Sequence, residues 1–242
     1  MGVLDNFLFV GLPYITLVVF LVGTIYRYKA TKFNYSSLSS QFLEESSLFW
    51  GSMPFHWGLA FLFFGHLIAF LFPSSVLAFN SHPVRLLIIE ISAFIAGLLV
   101  LFGLCVLFFR RIFNDRLKPV TTKMDIAIEL LLITQVVLGL LVAYTSRWGS
   151  SWFAAVLTPY LRSLFVLQPE ISAITALPFL AKLHIIGANL VFLLIPFSRL
   201  VHLLVVPFHY IWRPYQRVVW NISRRSVRDP NTKWTLHRPK NT

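Results

Sequence analysis

Long apolar runs separated by clusters of charge constrain the fold of this chain more than any other feature. The five runs cover about residues 7–26, 54–72, 85–109, 125–144 and 178–206. Such runs predict transmembrane helices, because about 20 helical residues cross the hydrocarbon core of a bilayer. Only 12% of the residues are charged, against roughly 25% in a typical soluble domain. We therefore expect an all-α integral membrane protein, a bundle of five transmembrane helices, and not an alternating-strand barrel.

The basic residues gather in the connections on one side of the expected bundle. Lys and Arg flank the first connection, the third connection and the C-terminal end, whereas residues 73–83 contain none. Because basic residues collect on the cytoplasmic side, this pattern predicts the N-terminus outside and the C-terminus inside. The aromatic-rich connection at residues 145–177 predicts a short helix at the membrane–water interface. No positive charge precedes the first run, so we expect that helix to be retained and not cleaved as a signal peptide.

Composition divides the chain into a membrane domain, residues 1–206, and a basic cytoplasmic tail, residues 207–242. The tail has eight Lys or Arg residues and one acidic residue, so it carries seven of the twelve net positive charges. A basic segment directly after a membrane helix follows the positive-inside rule. Its expected targets are anionic lipid head groups or an acidic partner subunit, and not nucleic acid.

The single cysteine, Cys105, limits the cofactors that the chain can hold. One thiol excludes an intrachain disulfide and a protein-held iron–sulfur cluster, which needs several cysteines. The sequence also has no Cys-x-x-Cys-His motif for covalent haem attachment. Any haem would therefore be held by histidine alone, and we expect Cys105 to serve core packing.

Four histidines lie inside or at the ends of the apolar runs, where an ionisable side chain is costly and marks a functional site. His56 and His66 are about 15 Å apart along the second helix, and His184 and His202 about 27 Å apart along the fifth. Two helices with two histidines each have the ligands for two b-type haems, one above the other. Antiparallel helices would pair His66 with His184 toward the outside and His56 with His202 toward the inside.

The two vertical spans differ by about 12 Å on ideal helices. Pro196 lies between the two histidines of the fifth run and predicts a kink there. The main alternative to haem ligation is that these histidines make interhelical hydrogen bonds. Zinc binding is a weaker alternative, because the histidine spacings are too wide for one tetrahedral site.

Other polar residues of the expected bundle have a functional and a structural interpretation each. Gly65 beside His66 would let a ring approach the backbone or let helices pack. Arg85 and Glu90 would bind a quinol head group or extend to water. Basic residues at helix ends are expected to anchor the topology in preference to contacting haem propionates; these are Arg110, Arg111 and Arg199. Three further histidines are expected at the surface: His82, His209 and His237.

The sequence resembles the gamma subunit of respiratory nitrate reductase, a cytochrome b membrane subunit, from about Pro13 to Gln216. The most specific match is the run Pro196-Phe-Ser-Arg-Leu-Val-His202, together with the two histidine pairs. The other matching pieces are Arg27-Tyr28, Ser39-Ser40-Gln41, Phe55-His56, Gly65-His66, Arg110-Arg111-Ile-Phe113, Thr121-Thr122 with Asp125, and Leu183-His184.

The resemblance implies two b haems, with His66 and His184 on the distal haem near the outer face and His56 and His202 on the proximal haem. It further implies that quinol, ubiquinol or menaquinol, is oxidised beside the distal haem and that protons leave outward. Gly65, His66 and Arg85 would form the quinol site, although the family has a lysine near the position of Arg85, and arginine is not a simple replacement.

The predicted function is accordingly the quinol-oxidising subunit of a quinol:nitrate oxidoreductase in the bacterial cytoplasmic (inner) membrane. The resemblance implies that electrons pass to an iron–sulfur beta subunit and a molybdenum-containing alpha subunit in the cytoplasm. Two alternatives remain: a related subunit of a nitrite-oxidising or sulfur/disulfide redox complex, and a haem-free membrane anchor.

Overall fold

The computed structural model describes residues 2–30, 43 and 46–204, and every regular element within these ranges is helical. All of them belong to one compact unit, Met1–Val205. The basic tail with His209 and His237, the matching residues Ser39, Ser40 and Gln41, and the side chain of Ser46 lie outside the described residues.

Five long helices carry the fold: α1 (Val3–Ala30), α2 (Ser46–Leu71), α3 (Pro83–Phe113), α4 (Lys123–Thr145) and α5 (Phe179–Leu194). Counting the turn that extends α5 to Phe197, each is long and apolar enough to cross a membrane. In an apolar stretch of 18 residues within each of these helices, only 11–28% of the stretch is buried inside the protein. Most of the apolar surface therefore faces outward, as in a bundle whose solvent is lipid. The prediction of five spanning helices is confirmed.

Proline and threonine fix where α3 and α4 begin. Pro83 stands in the first turn of α3, where its missing N–H costs nothing, and His82 before it is extended (φ −98°, ψ 121°). α4 begins with a capping box: the Asp125 N–H donates to Thr122 Oγ1 (3.2 Å), and the Thr122 N–H donates to Asp125 Oδ2 (2.9 Å). A short helix, Pro73–Asn80, fills the connection between α2 and α3.

The predicted short helix after α4 is present and packs against the bundle. We call residues 149–165 the connecting helix; it contains one π-helical stretch, Phe153–Leu157. Its buried Tyr160 donates a hydrogen bond to the carbonyl oxygen of Phe9 (2.7 Å), within the π-helical stretch Phe7–Gly11 of α1. Burial raises the pKa of the Tyr160 phenol, so the hydroxyl stays protonated and remains a donor.

Glycines allow α2 and α3 to approach closely. A Cβ at Gly103 would lie 2.7 Å from the Phe55 nitrogen, and one at Gly58 would lie 2.7 Å from the Ala96 oxygen. Neither contact leaves room for a side chain, because the neighbouring atoms belong to the backbone. Buried Phe55, Val100 and Leu104 fill the seam around these positions. This packing fixes α2, which carries His56 and His66.

The prediction of one helix over residues 178–206 is wrong. α5 ends at Leu194, a 3₁₀ turn covers Ile195–Phe197, Ser198 is extended (φ −117°, ψ 178°), and a second 3₁₀ segment covers Arg199–Leu204. Pro196 is the reason, since it has no N–H for a helical hydrogen bond. A kink at Pro196 was predicted, but the end of the α-helix at Leu194 was not. The span of about 27 Å expected for His184 and His202 therefore does not apply.

Candidate functional site

The four candidate histidines share one feature: in each, Nδ1 contacts a backbone carbonyl oxygen. A carbonyl can only accept, so each Nδ1 carries the proton and donates, which leaves Nε2 with a free lone pair. Metal-binding histidines in proteins are oriented in this way, by a hydrogen bond from the nitrogen that does not bind the metal. The four pairs are His56 with Ser52 (2.8 Å), His66 with Leu62 (2.7 Å), His184 with Gln135 (3.1 Å) and His202 with Arg199 (2.6 Å).

The structure brings His56 and His202 together. Their ring centroids are 6.3 Å apart, with an interplanar angle of 61°. Two imidazoles that bind one metal through Nε2, at about 2 Å each, have centroids about 6 Å apart. The centroid separation is in the range expected of two rings that share one metal ion, and the pairing of His56 with His202 as ligands stays a prediction. A haem iron needs no more from the protein, because the porphyrin supplies its other ligands.

His66 and His184 make no ring contact with each other in the described part of the chain. The His66 ring packs edge-to-face against Phe153 at 5.1 Å. The Gln135 side chain donates from Nε2 to the His184 carbonyl oxygen (2.9 Å), so two hydrogen bonds join α4 to α5 at this level. A Cβ at Gly139 would lie 2.9 Å from Cε1 of His184. The His184 ring is thus confined, while its pairing with His66 stays a prediction.

In the part of the chain that the structure describes, Arg85 does not contact the other two residues proposed for quinol, Gly65 and His66. A Cβ at Gly65 would meet nothing within 4 Å, so helix packing does not require glycine there, and open space lies beside His66. The Arg85 guanidinium lies over the Phe79 ring, 5.5 Å from its centroid. Within the described ranges, no hydrogen bond, ion pair or ring contact connects Arg85 to Gly65 or His66. The quinol site therefore also stays a prediction.

Glu90 has a structural role that the sequence did not indicate. Its carboxylate accepts hydrogen bonds from the Gly149 N–H (3.1 Å), the Ser150 N–H (2.9 Å) and the Ser150 hydroxyl (2.7 Å). These N–H groups begin the connecting helix and have no partner within it. Glu90 therefore caps that helix and ties it to α3.

Two carboxylates that sequence reasoning missed organise the arginines at the other end of the bundle. Arg111 Nε donates to Glu129 (2.8 Å), Arg199 Nε donates to Asp125 (2.8 Å), and Arg111 Nη1 lies 3.4 Å from Asp125. We call these four residues the ion cluster. Arg111 and Arg199 thus pair with carboxylates of α4, a role that the two interpretations of the sequence did not include. The available signal was the i, i+4 spacing of Asp125 and Glu129 in an otherwise apolar run.

Arg27 of α1 holds the break after α5. Its Nη1 donates to the carbonyl oxygens of Pro196 (2.8 Å) and Ser198 (2.7 Å). Arg199, directly after the break, donates from Nη2 to the Val120 carbonyl oxygen (2.7 Å) and so binds the segment to the α3–α4 connection. The segment that carries His202 is therefore attached to α1 and to the connection that precedes α4.

Comparison with known proteins identifies similar chains. The model of the family described as nitrate reductase gamma subunit matches residues 5–221. The nitrate reductase gamma chain of Bacillus subtilis is 32% identical over 208 residues, covering 84% of this chain and 93% of that protein. The respiratory nitrate reductase 1 gamma chain of Escherichia coli is 32% identical over 221 residues, covering 90% and 98%. The nitrate reductase 2 gamma chain of the same organism is 32% identical over 209 residues, covering 85% and 92%.

Proposed function

The chain belongs to the nitrate reductase gamma subunit family, and from this membership we propose that it is a cytochrome b subunit that oxidises quinol. In this proposal two b haems, held by His56 with His202 and by His66 with His184, relay electrons one at a time to an iron–sulfur subunit. Its relatives are named as gamma chains of nitrate reductase, so we propose nitrate as the acceptor that the partner subunits reduce.

The shared orientation of the four histidines is the observation that carries this proposal. The bond from His184 to Gln135 also joins two helices, but interhelical hydrogen bonds alone would not require the same ring nitrogen to donate in all four histidines. Here every Nδ1 donates to a backbone carbonyl, and every Nε2 is left to accept a metal. The 6.3 Å separation of the His56 and His202 rings adds a fitting pair.

The residues around the histidines would position and protect the sites. Phe153 and Gly139 restrict the rings of His66 and His184, which favours one ligand geometry. Open space beside Gly65 would admit the quinol head group next to His66. Arg85 would reach that head group from the start of α3 by leaving the Phe79 ring, and its guanidinium would donate to a quinol oxygen. Protons released there would leave outward.

We propose the orientation from the charge pattern. The N-terminus lies outside, the distal pair His66 and His184 lies near the outer face of the bacterial cytoplasmic membrane, and the proximal pair lies near the inner face. Residues 1–206 form the membrane domain, and the basic tail, residues 207–242, faces the cytoplasm. Its seven net positive charges would contact anionic lipid or the partner beta and alpha subunits.

A reduced minus oxidised visible spectrum, with a haem-to-protein ratio, tests the proposal on the purified full-length chain. The wild type should contain two b haems per chain. His66→Ala and His202→Ala should each lose one, and the two variants should retain haems with different spectra or potentials. His82→Ala is the matched control, because His82 is exposed at the start of α3 and should keep both haems.

Two results would contradict the proposal. A purified wild-type protein without haem would favour the membrane anchor that only docks partner subunits. Full haem content in both His66→Ala and His202→Ala would show that the cofactors are held elsewhere. Reoxidation of the reduced haems by nitrate, measured only when the partner subunits are present, tests the acceptor separately.

A further inference from the structure

We propose that the ion cluster (Arg111, Asp125, Glu129 and Arg199) and Arg27 together position His202, and that the cluster balances its own charge beside the His56–His202 pair. In this role the cluster sets the redox potential of the haem that the pair holds. The inference rests on the proposed function, and it assigns a task to residues that the proposed function does not use.

A continuous chain of polar contacts links the buried carboxylates to His202. Glu129 accepts from Arg111, Arg111 also lies beside Asp125, and Asp125 accepts from Arg199. The carbonyl oxygen of Arg199 in turn accepts from His202 Nδ1 at 2.6 Å. The residue that is fixed by the cluster is therefore the same residue that orients the ligand ring.

The segment needs this support because no regular helix carries it. His202 lies in a six-residue 3₁₀ segment, Arg199–Leu204, beyond the extended residue Ser198. Such 3₁₀ runs seldom exceed three or four residues, so contacts outside the segment must hold it. Those contacts are the two hydrogen bonds from Arg27 to the break and the bonds of Arg199 to Asp125 and Val120.

The four residues of the ion cluster, counted without Arg27, are balanced in charge, with two guanidinium groups and two carboxylates. The side chains of Asp125 and Glu129 are only 4% and 11% exposed. A buried charge is screened far less than a surface charge, so removing one member leaves a net charge that acts on its neighbourhood. Loss of a carboxylate leaves a positive charge, which favours the reduced haem. Loss of a guanidinium leaves a negative charge, which favours the oxidised haem.

The signs of the potential shifts test the proposal. Redox titration of the full-length protein should show that Asp125→Asn and Glu129→Gln raise one midpoint potential and that Arg199→Gln and Arg111→Gln lower it. The affected haem should be the one lost in His202→Ala, and the other potential should stay at its wild-type value. The double variant Asp125→Asn with Arg199→Gln restores neutrality and should return toward the wild-type potential.

The matched control is Asp115→Asn, which makes the same chemical change in an exposed pair with Lys118 on the α3–α4 connection. It should leave both potentials unchanged. Unchanged potentials in all cluster variants, or shifts of one sign for carboxylate and guanidinium variants alike, would overturn the proposal. If Asp125→Asn loses the haem, the potential of Glu129→Gln provides the test of the carboxylate effect. That variant leaves the hydrogen bonds of Asp125 with Thr122 and Arg199 intact. Absence of haem from the wild type would instead contradict the proposed function.

Discussion

Each candidate ligand histidine is oriented by a backbone carbonyl, and at His56 the Ser52 hydroxyl also lies 3.1 Å from Nδ1. At His56 and His66 the carbonyl belongs to the same helix, four residues earlier, so any helix supplies it. At His184 it belongs to Gln135 on α4, which only the tertiary fold brings near. The sequence therefore reveals the histidines, whereas the orientation of the His184 ring depends on how α4 and α5 pack.

Gly139 provides the space that this orientation requires. We predict that Gly139→Ala displaces the His184 ring, because the new Cβ would lie 2.9 Å from Cε1 and the ring is held through Nδ1. The haem-to-protein ratio should fall from two toward one. The haem lost should be the one that His66→Ala also loses, as shown by the remaining reduced minus oxidised spectrum.

Gly11→Ala is the control for this substitution. A Cβ at Gly11 would lie 3.5 Å from the Phe7 ring, an ordinary contact, within the π-helical stretch of α1. It changes the same residue type in another membrane helix and should keep both haems. Equal haem content in Gly139→Ala and Gly11→Ala would show that the His184 ring does not hold a haem in this position.

At the scale of helices, the seam between α2 and α3 depends on glycine. We predict that Gly103→Ala lowers the free energy of unfolding by about 1–3 kcal/mol, the usual cost of overpacking a well-packed interior. Its Cβ would meet the backbone of α2 at Gly51 and Phe55, which cannot move without shifting the helix. Thermal unfolding of the detergent-solubilised protein measures the effect as a lower Tm.

Gly97, on the same helix, is the matched comparison for Gly103. A Cβ there would lie 2.8 Å from Leu140 Cδ2, the flexible end of a side chain that can change rotamer. Gly97→Ala should therefore lower Tm less than Gly103→Ala. A larger loss for Gly97→Ala would mean that the α3–α4 contact, and not the α2–α3 seam, is the tighter one.

The sequence predicts elements better than it predicts the contacts between them. Five spans follow from hydropathy alone, because each helix faces lipid over most of its surface and its composition is set locally. The end of α5 was only partly predictable: Pro196 indicated a kink, but the path to His202 depends on Arg27 and Asp125, which lie far away in sequence. The cap that Glu90 supplies to the connecting helix is unpredictable for the same reason.

On the scale of the whole molecule, the distribution of basic residues between the two ends of the bundle predicts which end lies outside. The ion cluster binds Arg111 and Arg199 internally, so these two residues contribute less to the basic side than a count of arginines suggests. Exposed basic residues such as Lys118 still lie in the α3–α4 connection, and the short helix Pro73–Asn80 at the opposite ends of the helices has none. The predicted orientation therefore keeps its basis after the cluster is discounted.

The single cysteine makes this orientation directly measurable. In a Cys105→Ser background, Ser81→Cys should react with a membrane-impermeant maleimide in intact spheroplasts, and Asp115→Cys should react only after lysis. Both positions are exposed on the protein and lie at opposite ends of α3. A difference in labelling would therefore report the side of the membrane and not burial of the cysteine. Cysteine in place of Thr242 should follow Asp115→Cys, because the tail is proposed to face the cytoplasm. The reverse labelling pattern would show that the bundle has the opposite orientation. The His56–His202 pair would then lie near the outer face, and the path proposed for electrons toward cytoplasmic partners would be excluded.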